Sequence, residues 1–285
     1  MRILVFGRVG QLGSALAELL PGHHEVTFLD QPEVDLSQSE NVSNLIAEYA
    51  PALVINAAAY TAVDKAETEP QLAHSVNADA PAAMARSCQI RGVPLIHYST
   101  DYVFDGSASV PYTEDAVVAP ASVYGRTKLA GEQAVARETD HHIIFRTAWL
   151  YSHIGHNFLK TMLRVASEGK PLRVVDDQIG SPTFAWDLGI ASVAAVDALE
   201  EGREDVYGIF HATNSGLTSW YGFAQKIFEV AGIDTVDLSP IPTESYPTPA
   251  PRPAYSVLDC DRLYRVLKVE MPDWQDALAR CIARL

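Results

Sequence analysis

The amino-acid sequence predicts an α/β protein: a doubly wound parallel sheet followed by a smaller, α-rich C-terminal lobe. Three observations predict it. Short β-branched runs alternate with longer amphipathic stretches through the first half of the chain, which is how a sheet built from βαβ units reads. The first apolar run is followed at once by glycines in the pattern GxxGxxG. After Trp149 the alternation loosens into helical stretches spaced by loops rich in proline, glycine and acidic residues.

Taken in order, residues 2–6 run from Arg2 into the short apolar stretch Ile3 to Phe6 and are closed by glycine, the length and character of a buried strand. Residues 11–20 carry apolar side chains at helical spacing and open directly after Gly10. A second strand at 25–29 ends before Asp30, a second helix fits 39–49, and a third strand at 53–56 runs into Ala57, Ala58 and Ala59. A long helix is expected over 71–91, a fourth strand over 94–99, a helix over 122–137 and a fifth strand over 142–146. Beyond Trp149, helical periodicity marks 158–167, 186–200, 219–231 and 274–285. The segment 241–253 is too rich in proline for a helix or central strand and is expected as an extended loop on the surface or over a cleft. Residues 1–150, completed by about 183–212, are assigned to the sheet half, and 151–182 with 213–285 to the lobe.

At 285 residues, 48% of them hydrophobic and 20% charged, the chain can bury a full core. No apolar stretch approaches the roughly 20 residues needed to cross a bilayer, and the N-terminus lacks the pattern of a signal peptide, so a cytoplasmic protein without membrane partners is expected. Cys88, Cys260 and Cys281 are odd in number and far apart, which fits neither a disulfide framework nor a zinc site. A net charge of −15 opposes nucleic-acid binding. It also means that an anionic ligand must be held by local donors such as a helix N-terminus.

The glycine run Gly7, Gly10 and Gly13 follows the first strand and opens a helix, the context in which such a run cradles a dinucleotide pyrophosphate. Asp30, at the end of the second strand, stands where an acidic residue hydrogen-bonds the adenosine ribose and favours NADH. Arg8, inside the turn, could pair with a 2′-phosphate, so NADPH is retained beside it. The fourth strand delivers Thr100 and Asp101 at its carboxyl end. Tyr124 and Lys128, four apart at the start of a helix, share one face. A free phenol has a pKa of about 10, and a neighbouring ammonium would bring it towards the working range. Tyr124 is therefore the expected proton donor, Lys128 its partner, and Thr100 a hydrogen-bond donor to the same reacting oxygen.

With these residues in hand, the sequence resembles the extended short-chain dehydrogenase/reductases that act on nucleotide sugars, and within them the dTDP-4-dehydrorhamnose reductase family. The matching stretches include GRVGQLG from Gly7, NAAAYTAVDKAE from Asn56, HYSTDYVFDG from His97, VYGRTKLAGE from Val123, FRTAWLY from Phe145, DQIGSPT from Asp177 and YPTPAPRPAYS from Tyr246. The resemblance implies a Rossmann sheet and NADPH- or NADH-dependent reduction of the C4 ketone of dTDP-4-dehydro-6-deoxy-L-mannose to dTDP-L-rhamnose. It implies that Gly7, Gly10, Gln11, Leu12, Gly13, Asp30, Ala59, Tyr60, Thr61, Tyr98, Tyr124 and Lys128 contact the cofactor. Thr100 and Asp101 contact the sugar, Trp149 lines its pocket, and Asp64 and Lys65 form a surface pair outside the site. Some members form dimers bridged by Mg²⁺ through glutamates. This chain has Ser14, Ala15 and Trp186 in those neighbourhoods, so no metal is expected, and a monomer or weak homodimer is.

Two alternatives share the fold. A 4,6-dehydratase carries Thr-Asp-Glu at the fourth strand edge, where this chain has Tyr102 after Asp101, while an epimerase differs in consuming no cofactor. A non-catalytic subunit, such as the regulatory subunit of methionine adenosyltransferase, resembles the same reductases, but the intact Tyr124, Lys128 and Thr100 favour catalysis.

Overall fold

In the computed structural model the described residues are 1–22, 24–169 and 171–285. The sheet half alternates β1 (Arg2–Phe6), α1 (Gln11–Leu19), β2 (Glu25–Leu29), α2 (Ser39–Tyr49) and β3 (Leu53–Asn56). The short helices α3 (Val63–Ala66) and α4 (Pro70–His74) lead into α5 (Ala80–Arg91), β4 (Leu95–Thr100), α6 (Val123–Glu138) and β5 (His142–Thr147). The chain then enters the lobe with β6 (Leu150–Tyr151), α7 (Phe158–Ala166), β7 (Leu172–Val175), β8 (Ile179–Gly180) and β9 (Thr183–Phe184). It returns to the sheet half with α8 (Ala185–Glu200) and β10 (Gly208–His211). The lobe is completed by β11 (Thr218–Ser219), α9 (Trp220–Val230), β12 (Leu238–Ile241), α10 (Asp261–Leu267) and α11 (Trp274–Ile282), although α10 itself packs back on α8 and β10.

The six strands of the main sheet are ordered β10-β5-β4-β3-β1-β2, all parallel. Their central members read as unbroken apolar runs because both faces are covered. Ile3, Val5, Leu53, Ile55, Ile143 and Phe145 pack on the face held by α1 and α8. Leu4, Phe6, Val54, Leu95 and Ile144 pack beneath α2, α5 and α6 on the other. From β1 the chain first goes outward to β2 and then crosses back to β3. The loops after β1 and β3 therefore part on either side of a switch point, where open α/β sheets take their ligands.

The lobe has its own core of Tyr151, Leu159, Phe184, Phe223, Trp274 and Leu278, gathered from α7, α9, α11 and the ribbon strands. Three two-stranded ribbons, β6 with β9, β7 with β12 and β8 with β11, frame those helices. The proline-rich segment starts at Ile241, the last residue of β12, makes a turn at Thr243–Ser245 and then runs extended. It lies directly on the sheet half: a Cβ on Gly106 would come 2.6 Å from the Cα of Pro253. Asp64 fastens it, accepting from Arg252 Nη2 at 2.8 Å and from the Ala250 amide at 3.2 Å. The expected Asp64–Lys65 pair is thus not formed, since Lys65 turns the other way to Glu69, at 2.9 Å.

The helix expected over 71–91 differs in one respect. A π-helical turn, Ser75–Asp79, separates α4 from α5. Pro81 has no N–H for the Asn77 carbonyl four residues back, and the Ala80 amide bonds Ser75 five residues back instead. Gly131 of α6 fills the space beside the freed carbonyl, so closely that a Cβ there would sit 2.1 Å from the Asn77 oxygen.

Candidate active site

The glycine turn is built for close approach. Gly7 has φ of +92°, and a Cβ on it would lie 2.9 Å from the Ala58 amide nitrogen. A Cβ on Gly13 would meet the Gly7 carbonyl at 2.2 Å, so α1 rests against its own entry loop. Gly10 is the N-cap of α1, no side chain caps that end, and a Cβ there would project into open space. An uncapped helix N-terminus beneath open space at a switch point fits a pyrophosphate. Leu12 buries its side chain in the core, leaving its backbone for that role. Gln11 spans the halves, donating to the Leu150 carbonyl at 3.3 Å and accepting from Asn157 at 2.9 Å.

Asp30 is engaged by the turn itself. Its Oδ2 accepts the amides of Arg8 at 2.8 Å and Val9 at 3.0 Å, and its Oδ1 accepts that of Gln31 at 2.9 Å. Although burial works against the charge, these amides hold the carboxyl below its usual range. Beside it a cleft of about 270 Å³ is lined by Gly7, Asp30, Gln31, Ala58, Ala59 and Tyr60. Asn77, set by the π turn, fixes the wall of this cleft: its Oδ1 accepts the Tyr60 amide at 2.9 Å, and its Nδ2 donates to the Tyr60 carbonyl at 3.0 Å and Thr127 at 3.1 Å. Thr61 is exposed next to them.

At the carboxyl end of β4, Thr100 donates to Asp101 Oδ1 at 2.9 Å and accepts the Tyr102 amide at 3.2 Å. The Tyr124 phenol meets the Thr100 hydroxyl, the one contact that offsets burial, which with the nearby Asp101 pushes the phenol up to about 12. Gly125 makes this meeting possible, for a Cβ on it would sit 2.2 Å from the Tyr102 carbonyl oxygen. Lys128 Nζ donates to the Tyr98 carbonyl at 2.6 Å, and burial brings the ammonium down to about 8 against the opposing pull of Glu132. The expected downward bias of Lys128 on the phenol is therefore not what the side chains adopt. The ammonium gives one of its donors to a carbonyl, and burial dominates Tyr124. Tyr98 offers only that carbonyl, because its ring stacks on Phe145 and its hydroxyl meets Ser192 in the core at 2.7 Å.

Trp149 lies between β5 and β6, where the chain enters the lobe. Its backbone sits at φ +47°, a left-handed conformation rare for a bulky residue. The indole stacks on Trp220, with centroids 3.6 Å apart and planes within 7°. Its other neighbour is Gly180, where a Cβ would lie 2.5 Å from the ring.

A family model described as the RmlD substrate binding domain matches residues 1–285. A dTDP-4-dehydrorhamnose reductase of Sinorhizobium fredii is 44% identical over 286 residues, spanning 99% of this chain and 97% of that protein. The chain belongs to the dTDP-4-dehydrorhamnose reductase family. Among solved structures of that family, the reductase of Clostridium acetobutylicum aligns with a TM-score of 0.94 at 40% identity, covering 100% of this chain and 99% of that one. The Bacillus anthracis reductase, solved in complex with NADP, gives 0.92 at 37% identity, covering 100% and 99%.

Against the Mg²⁺-bridged members of the dTDP-4-dehydrorhamnose reductase family, the donor set does not fit: Ser14, Ala15 and Trp186 bring no carboxylate, and Trp186 instead carries the Arg284 guanidinium 3.6 Å above its ring. Sequence reasoning did not single out Asn77, Gly125, Gly180 and Trp220, which the structure sets against Tyr60, Tyr102 and Trp149. Gly125, lying between Tyr124 and Lys128 at a helix start, carried a readable signal, since glycine there costs helix stability unless something needs the space. Asn77 and Trp220 carried none, because their roles depend on the π turn and on the fold of the lobe.

Proposed function

We propose that the protein reduces the C4 ketone of dTDP-4-dehydro-6-deoxy-L-mannose to dTDP-L-rhamnose, using NADPH or NADH, as the last step of dTDP-rhamnose synthesis. The observation that carries this reading is the gathering of Tyr124, Thr100 and Asp101 at the carboxyl end of β4, on the same edge of the parallel sheet as the uncapped N-terminus of α1. When bound, the nicotinamide supplies the hydride. The backbone of Gly10 to Gly13 holds the pyrophosphate, and Asp30 with Ala59 to Thr61 holds the adenosine end. Lys128, anchored on the Tyr98 carbonyl, has donors left for the nicotinamide ribose. Tyr124 gives its proton to the oxygen as the ketone becomes an alcohol. A phenol raised to about 12 stays protonated at neutral pH and suits this direction of proton flow.

Residues 1–150 with about 183–212 serve the cofactor, and 151–182 with 213–285 serve the nucleotide sugar, Trp149 forming the wall on which the sugar rests. We place the protein in the cytoplasm, as a monomer or weak homodimer. The test is oxidation of NADH and of NADPH in the presence of the 4-keto sugar generated by the upstream enzymes. Stoichiometric consumption with dTDP-rhamnose as product is the expected result. Turnover of the sugar without net consumption would instead mark an epimerase.

A further inference from the structure

Thr100 has one proton to give and two lone pairs to fill. Its proton goes to Asp101 Oδ1 and one lone pair takes the Tyr102 amide, so it has no proton left for the Tyr124 phenol beside it. In this arrangement the Thr100 hydroxyl donates to the Asp101 carboxylate, away from the phenol and from any substrate. The other oxygen of Asp101, Oδ2, is buried and meets no donor in hydrogen-bonding geometry among the described residues, although the Ser256 hydroxyl lies close to the carboxyl group. A buried carboxylate oxygen without a donor is costly, and protonation relieves it.

We infer that Asp101 is a positioning residue whose proton reverses this donation, so that Asp101 donates to Thr100, Thr100 to Tyr124, and Tyr124 to the ketone oxygen. The inference rests on the reductase reading and deepens it. As hydride reaches the ketone carbon, Tyr124 releases its proton to the oxygen, Thr100 passes its proton to Tyr124, and Asp101 passes its proton to Thr100. Asp101 is left as a carboxylate and regains a proton from solvent between turnovers. With Asp101 ionised beforehand, Thr100 has no proton to offer towards Tyr124.

The surroundings shift Asp101 towards the neutral acid. Asp101 faces Thr100 on β4, Tyr102 on the turn that follows, Tyr124 on α6 and Ser256 beyond the proline segment. Among the described residues no lysine or arginine pairs with it. Arg252 lies past Tyr102 and is committed to Asp64. Burial accordingly raises the Asp101 carboxyl to about 6, with Ser256 and Thr100 only partly opposing it.

The experiment is the pH dependence of kcat/KM from pH 5 to 9, at saturating cofactor, for the wild type, Asp101→Asn and Thr100→Val. The wild type is expected to break near pH 6 and then to fall about tenfold per pH unit, as the fraction of protonated acid falls. The Asn variant, whose amide donates to Thr100 at every pH, is slower at low pH but shows no break. The Val variant cuts the chain with Asp101 intact and also shows none. A proton inventory in mixed H₂O and D₂O is expected to be curved for the wild type and linear for both variants. A wild-type profile flat across this range, or a break that survives in Asp101→Asn, overturns the inference. Tyr124→Phe separates the two levels of argument: if that variant keeps wild-type turnover, the reductase assignment of the site fails, whatever Asp101 does.

Discussion

Replacing Tyr124 with Phe removes a proton donor and leaves the dinucleotide cradle intact. Turnover should drop by about 10²–10⁴-fold, while the cofactor Kd, read from quenching of tryptophan fluorescence, stays within a factor of about two of wild type. Trp220 acts at one remove. Its ring supports the Trp149 indole, and a stacked aromatic pair is worth about 0.5–1.5 kcal/mol. Trp220→Ala should therefore raise KM for the nucleotide sugar by about 2–12-fold with little change in kcat, and loss of the excitonic near-UV circular dichroism of the two indoles would report the broken stack. At this scale the sequence told which groups meet but not which way they point. Four-residue spacing placed Tyr124 and Lys128 on one helical face, yet the ammonium chose the Tyr98 carbonyl. Position after β2 singled out Asp30, yet nothing in the sequence said that its oxygens would take the amides of Arg8 and Val9.

Helix α6 carries Tyr124 and Lys128, and its hold on the sheet lies one turn further on. Glu132 receives Arg146 of β5 through the Nε–Nη2 edge of the guanidinium, with Nη2 to Oε2 at 2.7 Å and Nε to Oε1 at 3.0 Å, and both side chains are at most 4% exposed. Arg146 also donates to the Glu114 carbonyl at 3.3 Å and lies over the Phe104 ring. Breaking such a pair from one side leaves a buried charge alone, which costs about 3–5 kcal/mol. Arg146→Met should lower the urea midpoint accordingly, whereas Arg146→Met combined with Glu132→Leu should recover much of the loss. The sheet strands and α6 were legible because long apolar runs and helical periodicity report burial directly. The π turn was not, since Pro81 sits inside an otherwise helical pattern and only its effect on the Asn77 carbonyl reveals it. Strand β10, four residues long, and the two-stranded ribbons of the lobe were too short for any periodicity to develop.

The whole molecule carries a net charge of −15, and the proposed substrate carries a diphosphate. Long-range repulsion therefore slows their encounter, and it is screened over about 10 Å at 0.1 M salt. Raising ionic strength from 10 to 150 mM with sodium chloride should increase kcat/KM by roughly two- to fivefold, a trend that stopped-flow mixing can measure. A fall over that range would mean that local cations, not the global field, govern capture. The order in which the main sheet is assembled bears on the life of the chain before it is finished. During synthesis β1 to β5 leave the ribosome first, and the outer edge of β5 stays bare until residues 208–211 follow. For that interval the nascent chain presents an open row of amides and carbonyls beside Phe145 and Ile143, a template for pairing with another chain. The edge is closed only after most of the first half of the lobe has been made, so a ribosome that stalls between β5 and β10 leaves its product sticky, and chaperones would find their grip there.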